Sequence, residues 1–409
     1  MPETPSVFEG LKVLDFAWVV VGPLTTKHLA DHGATVIRVE SLSRLDYLRS
    51  TAPFKDGQFG LNRSQFWASF NTSKKSLGLN LKTDPAKELI WRLIREWQPD
   101  LITESFAPGQ LARFGFDYES VRAVKPDIIY FSTTQLGQTG PFTQYAGFGN
   151  IGAAIAGLNH LTGWPDRPPV GPWGAMPDMV NPPLAMSAII AALEYRRRTG
   201  KGQRLDLAQI EGALQYIAPA LLDCDSNGTV VERAGNYDVG MAPHGAFRVA
   251  GEDRWVSIAV RNDADWAALC KAAAGEPWTT DARFQTFAGR KEHEAELESQ
   301  IGAWTAKQDG ERLMLDLQEQ GVPAALVKSC IELMDDPQLR YMDFFHETQH
   351  AECGPMPTDG PSFRLSLSPW AATGAPTLGQ HNEEILREIL HVSDEELASL
   401  IGEGVIESP

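Results

Sequence analysis

Cysteine is scarce in this sequence: Cys224, Cys270, Cys330 and Cys353 stand far apart among 409 residues, with no Cys-x-x-Cys pair. That spacing excludes a disulfide framework and a cysteine-rich zinc site, and it fits reduced, mostly buried thiols in a cytoplasm. Positive charge is short too. Lys and Arg total 36 against 53 Asp and Glu, a net charge of −17. Such a chain repels phosphate backbones and anionic lipid, so neither nucleic acid nor a membrane is an expected partner. No stretch approaches the roughly 18 apolar residues that span a bilayer. The opening MPETPSVFEG lacks a basic segment followed by an apolar one, so no export leader is expected. No internal repeat or low-complexity tract is visible. Gly-x-Ser-x-Gly, the P-loop and His-Glu-x-x-His are all missing, which leaves serine esterase, nucleotide triphosphatase and zincin chemistry without a motif.

What is present is a globular composition, 43% hydrophobic and 22% charged, in a chain longer than the roughly 250 residues at which one core stops growing. Two lobes are expected. Residues 12–16 read as a strand, Gly22-Pro23 breaks it, 24–32 can coil, and 35–39 form a second strand. Asp84 as N-cap with Pro85 after it opens a helix with apolar face Leu89, Ile90, Leu93, Ile94 and Trp97, ahead of a strand at 100–103. A further strand, 128–132, leads to the turn 137–141. This alternation predicts an α/β fold with a doubly wound, Rossmann-like parallel sheet, whose ligands sit beyond the strands' C-terminal ends.

After Asn181-Pro182-Pro183 an apolar helix should run to Arg196-Arg197-Arg198, whose charge suits a helix C-terminus. A helix within 210–222 reads as buried, and Asp225-Ser226-Asn227-Gly228 breaks the pattern. We therefore expect a large α/β domain over 1–225, a smaller α+β domain over 226–330 with strands at 255–260 and 322–327, and a segment 331–409 returning to the large domain. Ser393 and Glu396 mark the cap of a closing helix.

Few local patterns suggest chemistry. Gly147 to Gly152 matches Gly-x-Gly-x-x-Gly, but no strand immediately precedes it, so glycines allowing close packing is the stronger reading. His28 and His32 stand four apart without a third ligand, so an exposed helix face is expected and no metal. Asp178 lies in an uncharged stretch, 174–182, at an expected loop-to-helix junction. It reads equally as an N-terminal cap or as a carboxylate whose charge the helix N–H groups support. Local sequence leaves both open.

Over nearly its whole length the chain resembles the class III CoA-transferases, a family with formyl-CoA, carnitine-CoA and bile-acid CoA transferases and the related α-methylacyl-CoA racemases. The matching segments, in order, are 11–16 with Gly22-Pro23, 32–40, 71–77, 104–109, 137–141, 198–203, 378–382 and 404–406. The resemblance aligns Asp178 with the family's nucleophilic aspartate. It implies attack on an acyl-CoA thioester, a mixed anhydride, and exchange with an acceptor carboxylate, needing coenzyme A as co-substrate but neither ATP nor metal. It places CoA against Val20, Val21, Leu81, Lys82, Phe106, Arg113, Gly147 and Phe148, and a lid near 233–245. It also implies an interlocked dimer, either a homodimer or a heteromer with a related subunit.

Three positions depart from the family pattern: Ser41 replaces an arginine, with Arg44 a nearby substitute; Ser105 replaces an asparagine; and Val20 replaces a glutamine. The racemases' His and Asp are Phe148 and Gly149 here, which favours transferase over racemase. The rival reading is a non-catalytic, CoA-binding partner subunit. The approach to Asp178 (171–175) and the stretch 196–203 look closest to succinyl-CoA:benzylsuccinate CoA-transferases, implying succinyl-CoA as donor and an aromatic dicarboxylate as acceptor.

Overall fold

A computed structural model describes residues 5–409; the first four, part of the segment read above for a leader, lie outside the described residues. Six strands form one parallel sheet: β1 (Lys12–Asp15), β2 (Thr35–Glu40), β3 (Lys75–Gly78), β4 (Leu101–Glu104), β5 (Ile129–Thr134) and β6 (Gln203–Ala208). Their order is β3-β2-β1-β4-β5-β6, with Val13 paired to Val36 on one side and Leu101 on the other. The winding reverses between β1 and β4. The loops leaving these two strands therefore diverge and leave a crevice at their C-terminal ends.

Alternation along the strands fills both faces. Leu14, Ile37, Ile102 and Tyr130 pack with Leu89, Ile90, Leu93 and Ile94 and with Ile385, Leu386 and Leu397. Val13, Val36, Leu101, Ile129 and Phe131 pack on the other face with Leu29 of α1 (Val21–Ala30) and with Ala185, Ile189 and Ala192. Strands buried on both faces read as continuous apolar runs, which is why they were legible. The edge strand β3 is covered by the chain's own 405–407: Asn80 N–H donates to the Val405 carbonyl at 2.9 Å and Glu407 N–H to that of Gly78 at 2.9 Å. Glu407 also accepts from Ser41 Oγ (2.6 Å) and Leu42 N–H (2.8 Å). A Cβ at Gly78 would stand 1.9 Å from the Glu407 carbonyl oxygen, so only glycine admits this closure.

Several local expectations are corrected. The cap of α2 (Asp84–Arg92) is Thr83, whose hydroxyl accepts from Ala86 N–H; Asp84 is already helical. α1 is largely buried, so His28 and His32 do not form an exposed face: burial pushes the His28 imidazole down to about 4, and His32 Nδ1 lies 2.8 Å from the His28 carbonyl oxygen. Cys224 and Cys330 are exposed rather than buried. The region 210–222 is not one buried helix; it breaks between α5 (Gln209–Leu214) and α6 (Ala218–Asn227), and Leu222 is 64% exposed.

The chain divides into two compact units. One takes residues up to Asn159, Gly171–Val230 and Arg340–Pro409, including the antiparallel hairpin of β10 (Phe345–His350) and β11 (Gly354–Asp359). The other takes His160–Val170 and Val231–Leu339. These bounds differ from the expected 226–330. Helix α6 runs on to Asn227, with Gly228 as its C-cap. Gly235 N–H donates to the Gly163 carbonyl (2.8 Å) and Arg233 to that of His160 (3.2 Å), tying 160–170 to the second unit, while Arg254 pairs with Glu332. That unit's antiparallel sheet is β7 (His244–Arg248), β8 (Trp255–Ala259) and β9 (Ala324–Leu326). Phe247, Val256 and Ile258 pack there against Trp266, Trp278 and Trp304. His244 and Gly245, expected at the end of a lid, thus begin a strand. Among the described residues no helix is long and apolar enough to cross a membrane.

Candidate active site

Three loops at the C-terminal ends of the strands build the site. After β1, residues 17–20 are fastened on every side. Asp15 accepts from Ala17 N–H (2.9 Å), Thr26 Oγ1 (2.7 Å), Thr103 Oγ1 (2.7 Å) and Lys74 Nζ (3.2 Å). Burial acts to raise the Asp15 pKa, but Lys74 and Arg38 outweigh it and hold the carboxyl below its ordinary value. Burial lowers the Lys74 ammonium to about 8. After β4, Ser105 Oγ accepts from Trp18 N–H (2.7 Å) and donates to its carbonyl (3.0 Å), and the Phe106 ring meets Trp18 edge-on at 5.2 Å. The serine that departs from the family pattern therefore ties the first loop to the second. At the end of β5 stand Thr133 and Thr134, with Gln135 next after the strand; the two hydroxyls and Gln135 Oε1 have no hydrogen-bond partner among the described residues. Gln135 Nε2 donates to the Phe148 carbonyl.

Asp178 faces these loops from α4 (Met176–Thr199). The helix starts before the prolines, not after them, and passes through Pro182 and Pro183. Those residues lack N–H groups, so the Asp178 and Met179 carbonyls lose their usual donors. Packing of Ala185, Ile189 and Ala192 and the Asn181 side chain, which donates to the carbonyls of Pro177 (2.6 Å) and Gln209 (2.9 Å), keeps the helix intact. Asp178 is in the first turn but is not the cap, which is Ala175. Among the described residues no helix N–H group donates a hydrogen bond to its side chain. It is 6% exposed, and burial, with no compensating cation or donor among the described residues, pushes its carboxyl up to about 6. Gly149, the first residue of α3 (Gly149–Ile155), allows this placement: a Cβ there would stand 2.5 Å from Asp178 Oδ2. Within the Gly-x-Gly-x-x-Gly pattern Gly149 thus serves close packing against the Asp178 helix, whereas a Cβ at Gly147 would meet Gln135 Oε1 at 2.6 Å.

Asp178 lines a cavity of about 430 Å³ together with Val20, Val21, Phe106, Gly147 and Phe148. Leu81, Lys82 and again Phe106 line a second, mainly apolar cavity of about 480 Å³. Trp18, Val19, Arg44, Ser105, Phe106 and Ala107 belong to both and form their shared wall. Arg113 lines neither; it is exposed, with Nη1 3.4 Å from Gln110 Oε1 at the margin of the second. Arg44, the sole cation lining the Asp178 cavity among the described residues, stacks over Trp18 at 5.9 Å. Sequence reasoning missed Trp18, Val19 and the polar run 133–135; three consecutive polar residues where a buried strand ends were the available signal. Among the described residues no group of three His, Cys, Asp or Glu is gathered as for a metal ion.

A buried, poorly solvated carboxylate beside a long apolar cleft can attack an activated carbonyl while water is kept away. Residues 8–382 match CoA-transferase family III. The chain is 32% identical to the succinyl-CoA–D-citramalate CoA-transferase of Chloroflexus aurantiacus over 98% of each chain. It is 31% identical to the succinyl-CoA:glutarate CoA-transferase of Mus musculus, over 98% of this chain and 90% of that one. Its fold matches a CAIB/BAIF family protein from Brucella suis with a TM-score of 0.85 at 30% identity, over 94% of this chain and all of the other. On the sequence match and the shared fold, the chain belongs to CoA-transferase family III and is a CoA-transferase.

Proposed function

We propose that this enzyme moves CoA from succinyl-CoA to a dicarboxylic acid through an anhydride on Asp178. The observation that carries the reading is the Asp178 carboxyl, buried, unpartnered and facing a cavity that shares a wall with a second one. Asp178 Oδ attacks the thioester carbonyl and expels the CoA thiolate, forming an acyl–aspartyl anhydride. The thiolate attacks the Asp178 carbonyl, releasing the donor acid and leaving an aspartyl thioester. The acceptor carboxylate attacks that carbonyl, forms a second anhydride and frees the thiolate, which takes the new acyl group and restores Asp178. Each step conserves the activated bond, so no external energy source enters.

Lys82 beside an apolar cavity suits the phosphates and adenine of CoA, and the wall of Trp18 and Phe106 leads the thiol toward Asp178. Arg113 serves at most the outer rim. The names of the two relatives support succinyl-CoA as donor and an aliphatic dicarboxylate of four or five chain carbons as acceptor. They lend nothing to benzylsuccinate. Among the described residues no His, Lys, Cys, Glu or second Asp lines the Asp178 cavity, which favours transfer over racemisation, and the presence of the carboxylate favours a competent chain over a silent partner subunit. Exposed Tyr216, Leu221 and Leu222 and the fully exposed Trp173 support a dimer that covers them.

The test is to incubate the purified chain with succinyl-CoA and glutarate, citramalate or benzylsuccinate and to trap the anhydride with hydroxylamine. A hydroxamate on Asp178 and a new CoA ester are expected. Turnover by Asp178→Ala, or no adduct on residue 178, would overturn the reading.

A further inference from the structure

We propose that Asp46 is a positioning residue for CoA: it holds Val19 in a left-handed conformation and thereby fixes Trp18 in the wall between the two cavities. The inference rests on reading those cavities as the CoA site. Among the described residues seven non-glycine residues have positive φ, and Val19, at 66°, is the one β-branched side chain in that set. Such a residue is crowded there and persists only where its surroundings over-determine it.

The surroundings do so. Both Asp46 carboxylate oxygens lie 3.3 Å from Val19 N–H. Asp46 also accepts from Leu48 N–H (3.0 Å) and from the Arg38 guanidinium, whose other arm donates to the Ala17 carbonyl (2.8 Å). Arg38 and Asp46 are both buried. Ser105 holds Trp18 from the opposite side. Residues 17 and 19 are therefore tied to the buried Arg38 and Asp46 and residue 18 to the half-buried Ser105, and the Trp18 and Val19 side chains belong to the wall that a long, thin ligand must pass to enter both cavities. Holding the crowded conformation before the ligand arrives removes that ordering cost from binding.

Val19→Gly separates this role from a merely structural one, because it leaves every buried charge in place while removing the crowding. It should raise the melting temperature yet weaken CoA about tenfold by calorimetry. Its kcat/KM for the succinyl thioester of N-acetylcysteamine, which reaches only the Asp178 cavity, should fall at least fivefold less than that for succinyl-CoA. Asp46→Asn should weaken CoA similarly, and the double variant should be no weaker than either single one. Unchanged CoA affinity in Val19→Gly, full additivity of the two changes, or an equal loss with the short thioester would each overturn the inference. If the unmodified chain binds no CoA, the reading of the cavities falls; if it binds CoA and Val19→Gly binds it equally well, only the positioning role falls.

Discussion

Two buried aspartates in the same compact unit have opposite surroundings. Asp15, 0% exposed, accepts four hydrogen bonds and is held below its ordinary pKa by Lys74 and Arg38 against the cost of burial. Asp178, nearly as buried, has no such partners among the described residues and is raised to about 6 by burial. Burial alone therefore says little about a carboxylate's role. A satisfied one is spent on holding loops together, and an unsatisfied one keeps its lone pairs for a reaction.

The comparison can be broken in several ways. The largest expected effect is catalytic: Asp178→Ala should lower kcat by about 10³-fold or more, with an unchanged circular dichroism spectrum and CoA affinity. Asp15→Ala should act on the fold, costing about 3–5 kcal/mol by denaturant titration, because it leaves the buried Lys74 without its hydrogen-bonded carboxylate and takes one of three carboxylates from Arg38. If Asp15→Ala kept full stability and lost only activity, the contrast would fail.

Acidity gives a finer test. The folded value for Asp178, about 6, lies above the ordinary 3.8. The native state thus prefers the protonated form, and the stability this lends is present below pH 4 and lost as pH rises through 6. Asp178→Asn should accordingly stabilise the fold at pH 8 by on the order of 2–3 kcal/mol and leave it nearly unchanged at pH 4, measured by denaturant melts at both. On the proposed mechanism Asp178 attacks in its ionised form, so kcat/KM of the unmodified enzyme should fall on the acid side with a midpoint near 6. A midpoint near 4 would mean that Asp178 is solvated as Asp15's neighbours are not. The smallest expected effect is at Thr133: Thr133→Val removes an unpartnered hydroxyl and should change stability by less than about 1 kcal/mol, while raising KM for the acceptor acid a few fold if that hydroxyl meets substrate.

Much of the sheet was legible because strands β1, β2, β4 and β5 are apolar on both faces and alternate with helix signals. Strand β6 was not, since Arg204 and Asp206 alternate with apolar residues at a sheet edge and blur the pattern. The helix carrying Asp178 was misplaced because two prolines inside a helix normally mark its start, and here packing further along overrides them. The clamp around Val19 could not be read at all: Asp15, Arg38, Asp46 and Ser105 meet only after folding. Asp178 itself was one of two open readings until the family resemblance singled it out.

The strip at 405–407 that covers β3 also reaches Ser41 and Leu42, and Ser41, Leu79 and Leu81 belong to the cavity beside Lys82. One short strip thus seals a strand edge that would otherwise invite another chain to pair with it, and braces one side of that cavity. A tag fused beyond it, or a few residues trimmed from it, would be felt as clumping and as slackened ligand grip together, although no catalytic atom had been touched.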